Sequence, residues 1–356
     1  MVISWFSKFK IKYINLSLKI KYFVIFMTGL ILLIAVFFLL NFKSYHKGIM
    51  NPPFQLPNNS VPPHFLYAFY GDRWKDQTNS MVLNPAVDRF KRPLAITVAS
   101  DGRIFVADSG NSRIEVFGQV GQHLLSFGQD QLKYPVSLTY MNHKLYVADP
   151  ILMKIVVFDD HGKALTPLSD KLKLTSRNRA NANENYLRPS AIQIGPDNLF
   201  YVTDIGNQCV VVLNNKGQIL RHFGSPGKNN GNFEYPGGLW VDKAGTVYVS
   251  DSNNGRIEIF DKSGRYLSKI DGTQGKNGHL ALPRGLVVTD DGILFVTDVL
   301  MHKIRVFDLA GNELWTLGGM GKDNGQFYFP NDLYRDSSGR IYIVDRENNR
   351  FEVFGY

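Results

Sequence analysis

One pattern is written six times along this chain, and a repeat of that kind leaves few ways to fold. A proline opens each unit, at Pro93, Pro135, Pro189, Pro236, Pro283 and Pro330, with spacings of 42, 54, 47, 47 and 47 residues. An apolar strand and a Gly or Asn turn follow, then a second strand ending in aspartate: IFVAD to Asp108, LYVAD to Asp149, FYVTD to Asp204, VYVSD to Asp251, LFVTD to Asp298 and IYIVD to Asp345. A four-residue loop leads into a third strand (RIEVF, KIVVF, CVVVL, RIEIF, KIRVF, RFEVF). A fourth ends in or near glycine, as in HLLSFG, QILRHFG and ELWTLGG. Period-two alternation with β-branched and aromatic residues marks each run as a strand. A single four-stranded sheet cannot bury both faces, so the copies must stack in a ring. The pattern predicts an all-β, six-bladed β-propeller.

The chain ends fix the count. Unit six stops at Phe354-Gly355-Tyr356, after its third strand, and the missing strand stands before unit one, over residues 65–71. The propeller is expected to span residues 64–356, with that N-terminal strand closing the last blade.

Ahead of it, Tyr22 to Leu40 is nineteen residues without a charge, about 28 Å as a helix and enough for a bilayer core. Five lysines precede it, no small-residue cleavage site follows, and residues 41–63 are rich in proline. The expected layout is a cytoplasmic basic tail (1–21), a transmembrane signal anchor (22–40), a Pro-rich linker (41–63) and an extracytoplasmic propeller. Seven lysines and no acid in residues 1–47 account for all but two of the net charge of +9. The propeller is therefore near neutral, which argues against a nucleic-acid partner. Cys209 is the only cysteine, so no intramolecular disulfide and no cysteine cluster can hold the fold.

The segments DSGNSRIEVF, DSNNGRIEIF and DRENNRFEVF, each with a following glycine turn and proline, resemble NHL repeats over residues 64–356. The resemblance implies the propeller strongly and a function weakly, because such propellers include a peptidyl-amide lyase, RNA-binding modules and extracellular sensor domains. The lyase is expected to hold zinc with channel histidines, some directly after the blade-opening proline. Those positions here are Leu94, Val136, Ser190, Gly237, Arg284 and Asn331. A lactonase-type calcium site needs several hard oxygen ligands in the channel, and Asn331-Asp332 alone supplies too few. No cofactor, metal site or catalytic residue is assigned.

Asp and a base stand five apart across each second loop (Asp108/Arg113, Asp149/Lys154, Asp251/Arg256, Asp298/Lys303, Asp345/Arg350), as a structural clasp would. In unit three Cys209 replaces the base, which would leave Asp204 without its partner. Four of these loops are polar. The other two carry Ile151-Leu152-Met153 and Val299-Leu300-Met301, on opposite blades of the ring. With Arg284 and Asn331 these form the candidate surface for a protein, peptide or glycan at the channel mouth. Residues 165–188, an insertion with five basic and few apolar residues, read as a solvated excursion. A binding scaffold is the expected function; a channel-located metal-dependent lyase or lactonase-like hydrolase and a sensor subunit of a membrane complex stay open.

Overall fold

The computed structural model describes residues 62–76, 81–83, 88–119, 121–174 and 186–355. The expected span Tyr22–Leu40, the basic tail and residues 41–61 of the linker lie outside them. Among the described residues no helix is long and apolar enough to cross a membrane.

Among the described residues six antiparallel sheets form, five of four strands and one of six. The proline-led strands are the innermost of each sheet: Ala95–Val98, Ser137–Met141, Pro189–Ile194, Pro236–Val241, Pro283–Val288 and Pro330–Arg335. Each packs against the inner strand of the next blade, and blade six packs against blade one, so the ring is closed. Closure follows from His64–Phe69, which pairs antiparallel with Arg350–Gly355 and sets Phe69 opposite Phe351, their rings stacked at 4.7 Å. Two further strands, Arg73–Asp76 and Met81–Leu83, extend blade six outward.

There is no single core. Six apolar clusters fill the six clefts between adjacent blades; Phe69, Phe90, Phe117 and Phe351 meet between blades six and one. Each blade entry contributes one plug, Phe90, Leu132, Leu187, Phe233, Leu280 or Phe327, at most 2% exposed and two or three residues before the proline. These plugs tie the loop at the mouth to the cleft beneath it.

Residues 165–188 are more than an excursion. Ser169–Asp170 is the short outer strand of blade two, and Leu165, Leu168, Leu172, Leu174 and Leu187 pack between blades two and three. Residues 175–185 lie outside the described set. The leucines recur without period-two alternation, so the strand left no sequence signal.

The repeated aspartate does more than pair with a base. In every blade it accepts backbone N–H from one or both of the two residues ahead of the opening proline: Lys91 to Asp108, Lys133 and Tyr134 to Asp149, Arg188 to Asp204, Glu234 to Asp251, Ala281 and Leu282 to Asp298, and Tyr328 to Asp345. Asp204 is therefore well partnered, by the N–H groups of Arg188, Gly206 and Asn207 and by the Asn207 side chain at 2.6 Å. The base completes the clasp only in blades one, four and six, where Arg113, Arg256 and Arg350 each lie 2.9 Å from the aspartate. Lys154 pairs with Asp170 instead. In blade five Arg305, two residues beyond Lys303, reaches Asp298 and Glu313.

In the three complete clasps the arginine also meets a second buried carboxylate, Glu115, Glu258 or Glu352. One guanidinium cannot neutralise two carboxylates out of water, and burial pushes the glutamates up, Glu258 to about 7 and Glu352 to about 8. The sign follows from linkage. These groups contribute stability that is full below their ordinary 4.5 and is lost as pH rises through 7 and 8. The melting temperature is expected to fall from about pH 5 to about pH 9, and Glu352→Gln should flatten the alkaline part of that fall. An unchanged slope in the variant would show that Glu352 does not carry it.

Candidate functional site

The six inner strands surround a cavity of about 610 Å³ on the ring axis. Its wall includes Leu94, Val136, Ser190, Gly237, Arg284 and Asn331, the residues directly after the six prolines, and deeper residues such as Gln193, Trp240 and Asp332. Tyr134, Pro150, Ile205, Tyr235 and Arg346 close in at the end where the blades begin. No histidine is among the lining residues.

The mouth is positioned by hydrogen bonds that run from blade to blade. Each second loop ends in a left-handed residue: Ser112, Met153, Gln208, Gly255, His302 and Asn349. Three of these accept the N–H of the residue before the next blade's proline. Gln208 Oε1 takes Tyr235, His302 Nδ1 takes Phe329 at 3.1 Å, and Asn349 Oδ1 takes Arg92 at 2.7 Å. Burial lowers the His302 pKa, consistent with a neutral ring whose Nδ1 accepts. Asn331 belongs partly to this stitching, since its Nδ2 donates to the Leu94 carbonyl at 2.8 Å and so joins blade six to blade one.

Arg284 is different. Its guanidinium lies over the Tyr235 ring at 4.5 Å, and among the described residues it has no hydrogen bond and no ion pair. It leans toward blade four because Gly237 leaves room: a Cβ there would come within 3.0 Å of Arg284 Cδ and 2.4 Å of Ser252 Oγ. Arg346, half-buried nearby, lies over Phe329 at 5.3 Å and pairs with Glu347, which also pairs with Arg92. Burial, then the Arg92 and Arg284 charges, lower the Arg346 pKa against the opposing pull of Glu347. Three arginines thus stand near one carboxylate, Glu347, which pairs with two of them.

Asp332 is the converse case. Its Oδ2 accepts the Ile96 N–H at 3.2 Å across the blade six to blade one junction, and among the described residues no cation pairs with it. Burial pushes the carboxyl up to about 7. Its other oxygen lies against Gly285, where a Cβ would come within 2.7 Å. The Trp240 Nε1 donor is also buried without a partner among the described residues. The sequence alone offered Asp332 only as one of too few calcium ligands. The missing signal was its place in the cavity wall, which a residue's neighbours in sequence do not reveal.

The two apolar tips divide. Ile151, Leu300 and Met301 are exposed at 64%, 52% and 39%, whereas Val299 is buried in the fold and Leu152 packs on the cleft between blades one and two. Met153 is half-buried in a left-handed turn. None of the six lines the cavity, although Pro150, next to Ile151, does. Val299 and Leu152 thus serve packing rather than an open contact surface. Among the described residues no cluster of His, Cys, Asp or Glu has the geometry to hold a metal ion.

An NHL repeat model matches residues 90–117, 233–260 and 327–354, which cover the entry loops and first three strands of blades one, four and six. These are the blades with the complete Asp–Arg–Glu clasp. No curated protein matches the chain in sequence. Among solved structures it is similar to a streptogramin B lyase (TM-score 0.56, 14% identity, over 80% of this chain and 85% of that one). It is also similar to virginiamycin B lyase from Staphylococcus aureus (TM-score 0.55, 16% identity, 80% and 87%). A catalytically inactive histidine-to-alanine form of the latter, with quinupristin, gives TM-score 0.55 at 14% identity over 85% and 98% of the two chains. At these identities the likeness concerns the fold. The described residues form a six-bladed β-propeller in which blades one, four and six carry NHL repeats.

Proposed function

We propose that this chain is a membrane-anchored, extracytoplasmic binding propeller whose channel mouth engages a protein, peptide or glycan. The observation that carries the reading is the set of unsatisfied groups around one cavity: Arg284 without an anion, Asp332 without a cation and the Trp240 N–H without an acceptor among the described residues. Polar groups in a cavity wall are usually paired, and a ligand that pairs these three gains their hydrogen bonds and charge contacts. Exposed Ile151, Leu300 and Met301 would add apolar contact beside it. The uncharged run Tyr22–Leu40, with lysines before it, supports anchoring with the propeller exported.

A second reading is favoured by Asp332, because a carboxyl that titrates near neutral pH is suited to general acid–base work. Solved lyases share the fold, and one is inactive with a histidine replaced by alanine. No histidine lines this cavity, so a lyase here would need a different proton acceptor. Binding is the simpler account. A photo-cross-linker at Tyr235 in native membranes tests it: a captured partner is expected, with capture reduced when Met301→Asp makes the blade-five tip polar.

A further inference from the structure

We infer that the channel mouth recognises a zwitterionic ligand, a free amino acid or short peptide with both ends unblocked, its carboxylate held by Arg284 and Arg346 and its ammonium by Asp332. The inference rests on reading the mouth as a binding site and names what that site takes.

Three facts support it. Arg284 lacks an anion: Arg92 and Arg346 both pair with the one carboxylate of Glu347, and the Arg284 guanidinium rests on an aromatic face alone. A planar guanidinium grips a carboxylate with two parallel N–H donors, and a carboxylate here would relieve the repulsion between Arg284 and Arg346. The aspartate lacks a cation. Asp332 lies against Gly285, the residue after Arg284, but Arg284 turns the other way, toward Gly237 and Tyr235, and no ion pair joins the two. Opposite charges lining one cavity, each unmatched, fit a ligand that carries both signs.

The third fact favours a peptide-like body over a sugar. Each inner strand pairs with only one neighbour in its blade, so its other edge faces the channel. Side chains of adjacent blades take some of that edge's groups, such as the Leu94 and Arg284 carbonyls and the Ile96 N–H, and leave others to a ligand. An extended peptide offers the complementary groups. The Tyr235 face, which a sugar ring would stack on, is already covered by Arg284.

The test is calorimetric titration of the full-length, detergent-solubilised protein with alanine, trialanine, N-acetyl-trialanine and trialaninamide. Trialanine or alanine is expected to bind roughly tenfold or more tightly than either end-blocked peptide, because a blocked end leaves one charge of the site unpaired. The tighter of the two unblocked ligands shows whether a free amino acid or a peptide spans the site. Arg284→Ala should abolish only the discrimination against trialaninamide, and Asp332→Asn only that against N-acetyl-trialanine. Equal binding of blocked and unblocked peptides would overturn the inference while leaving the mouth a binding site. So would a galacturonate oligomer that outbinds every peptide. Failure of every probe at millimolar concentration would overturn it too, and capture at Tyr235, which presumes no ligand, then tells whether the mouth binds anything. The comparison of blocked with unblocked ends uses the unmodified protein and does not depend on how the variants fold.

Discussion

Asp251→Ala is expected to destabilise the propeller by about 3–5 kcal/mol, close to the whole stability of many domains. Asp251 is fully buried and accepts from three directions: the Glu234 N–H at 2.6 Å, Asn254 Nδ2 at 2.7 Å and Arg256 Nε at 2.9 Å. Alanine would strand a loop amide and a side-chain amide, and it would leave Arg256 and Glu258 in a site shaped for three groups. Urea denaturation with intrinsic fluorescence measures the loss. Asn254→Ala, which removes one side-chain donor but leaves the Glu234 amide and Arg256 bound to Asp251, should cost less. Equal losses in the two variants would mean that the Asn254 amide, rather than the loop amide and the ion pair, is the partner the aspartate depends on.

Phe69→Ala should be comparably severe, at about 3–5 kcal/mol for a buried aromatic. Phe69 is 3% exposed, stacks on Phe351 and packs near Phe117, so one ring joins the closing strand to blade six and to blade one. A propeller has no edge to spare. Opening this seam frees the edge of Arg350–Gly355 and uncovers the cleft between the first and last blades. The same denaturation experiment on Leu220→Ala is the control, since Leu220 is half exposed on the outer strand of blade three and should cost little. If Phe69→Ala is no worse than Leu220→Ala, the N-terminal strand is not what closes the ring.

Much of the fold was legible because the repeat encodes it locally. Proline, alternating strand, aspartate and glycine recur at nearly constant spacing, and the missing strand of unit six could be found by asking where its partner went. The outer strand of blade two was not legible: Ser169–Asp170 pairs over only two residues, too few for alternation to show. The aspartate was recognised as a clasp, and its base is the expected one in blades one, four and six, but the amides that hold it in every blade were not foreseen. Its neighbours in space are amides some sixteen residues upstream, as in Lys91 to Asp108, and a charge five residues downstream is easier to see. The candidate site was half legible. Arg284 drew notice from its position after a proline. Asp332 and Trp240 became candidates only when the ring placed them in one cavity, and Val299 and Leu152 left the contact surface because their loops fold inward. Sequence period reports which face of a strand is apolar; it does not report which polar group is left without a partner.

The most direct measurement is site-specific photo-cross-linking in native membranes at two positions of one blade, Tyr235 at the channel mouth and Leu267 on the exposed outer strand. Capture of a partner at Tyr235, competed by an unblocked short peptide and absent at Leu267, is the expected result. Capture at Leu267 with none at Tyr235 would place recognition on the blade edges and contradict the account.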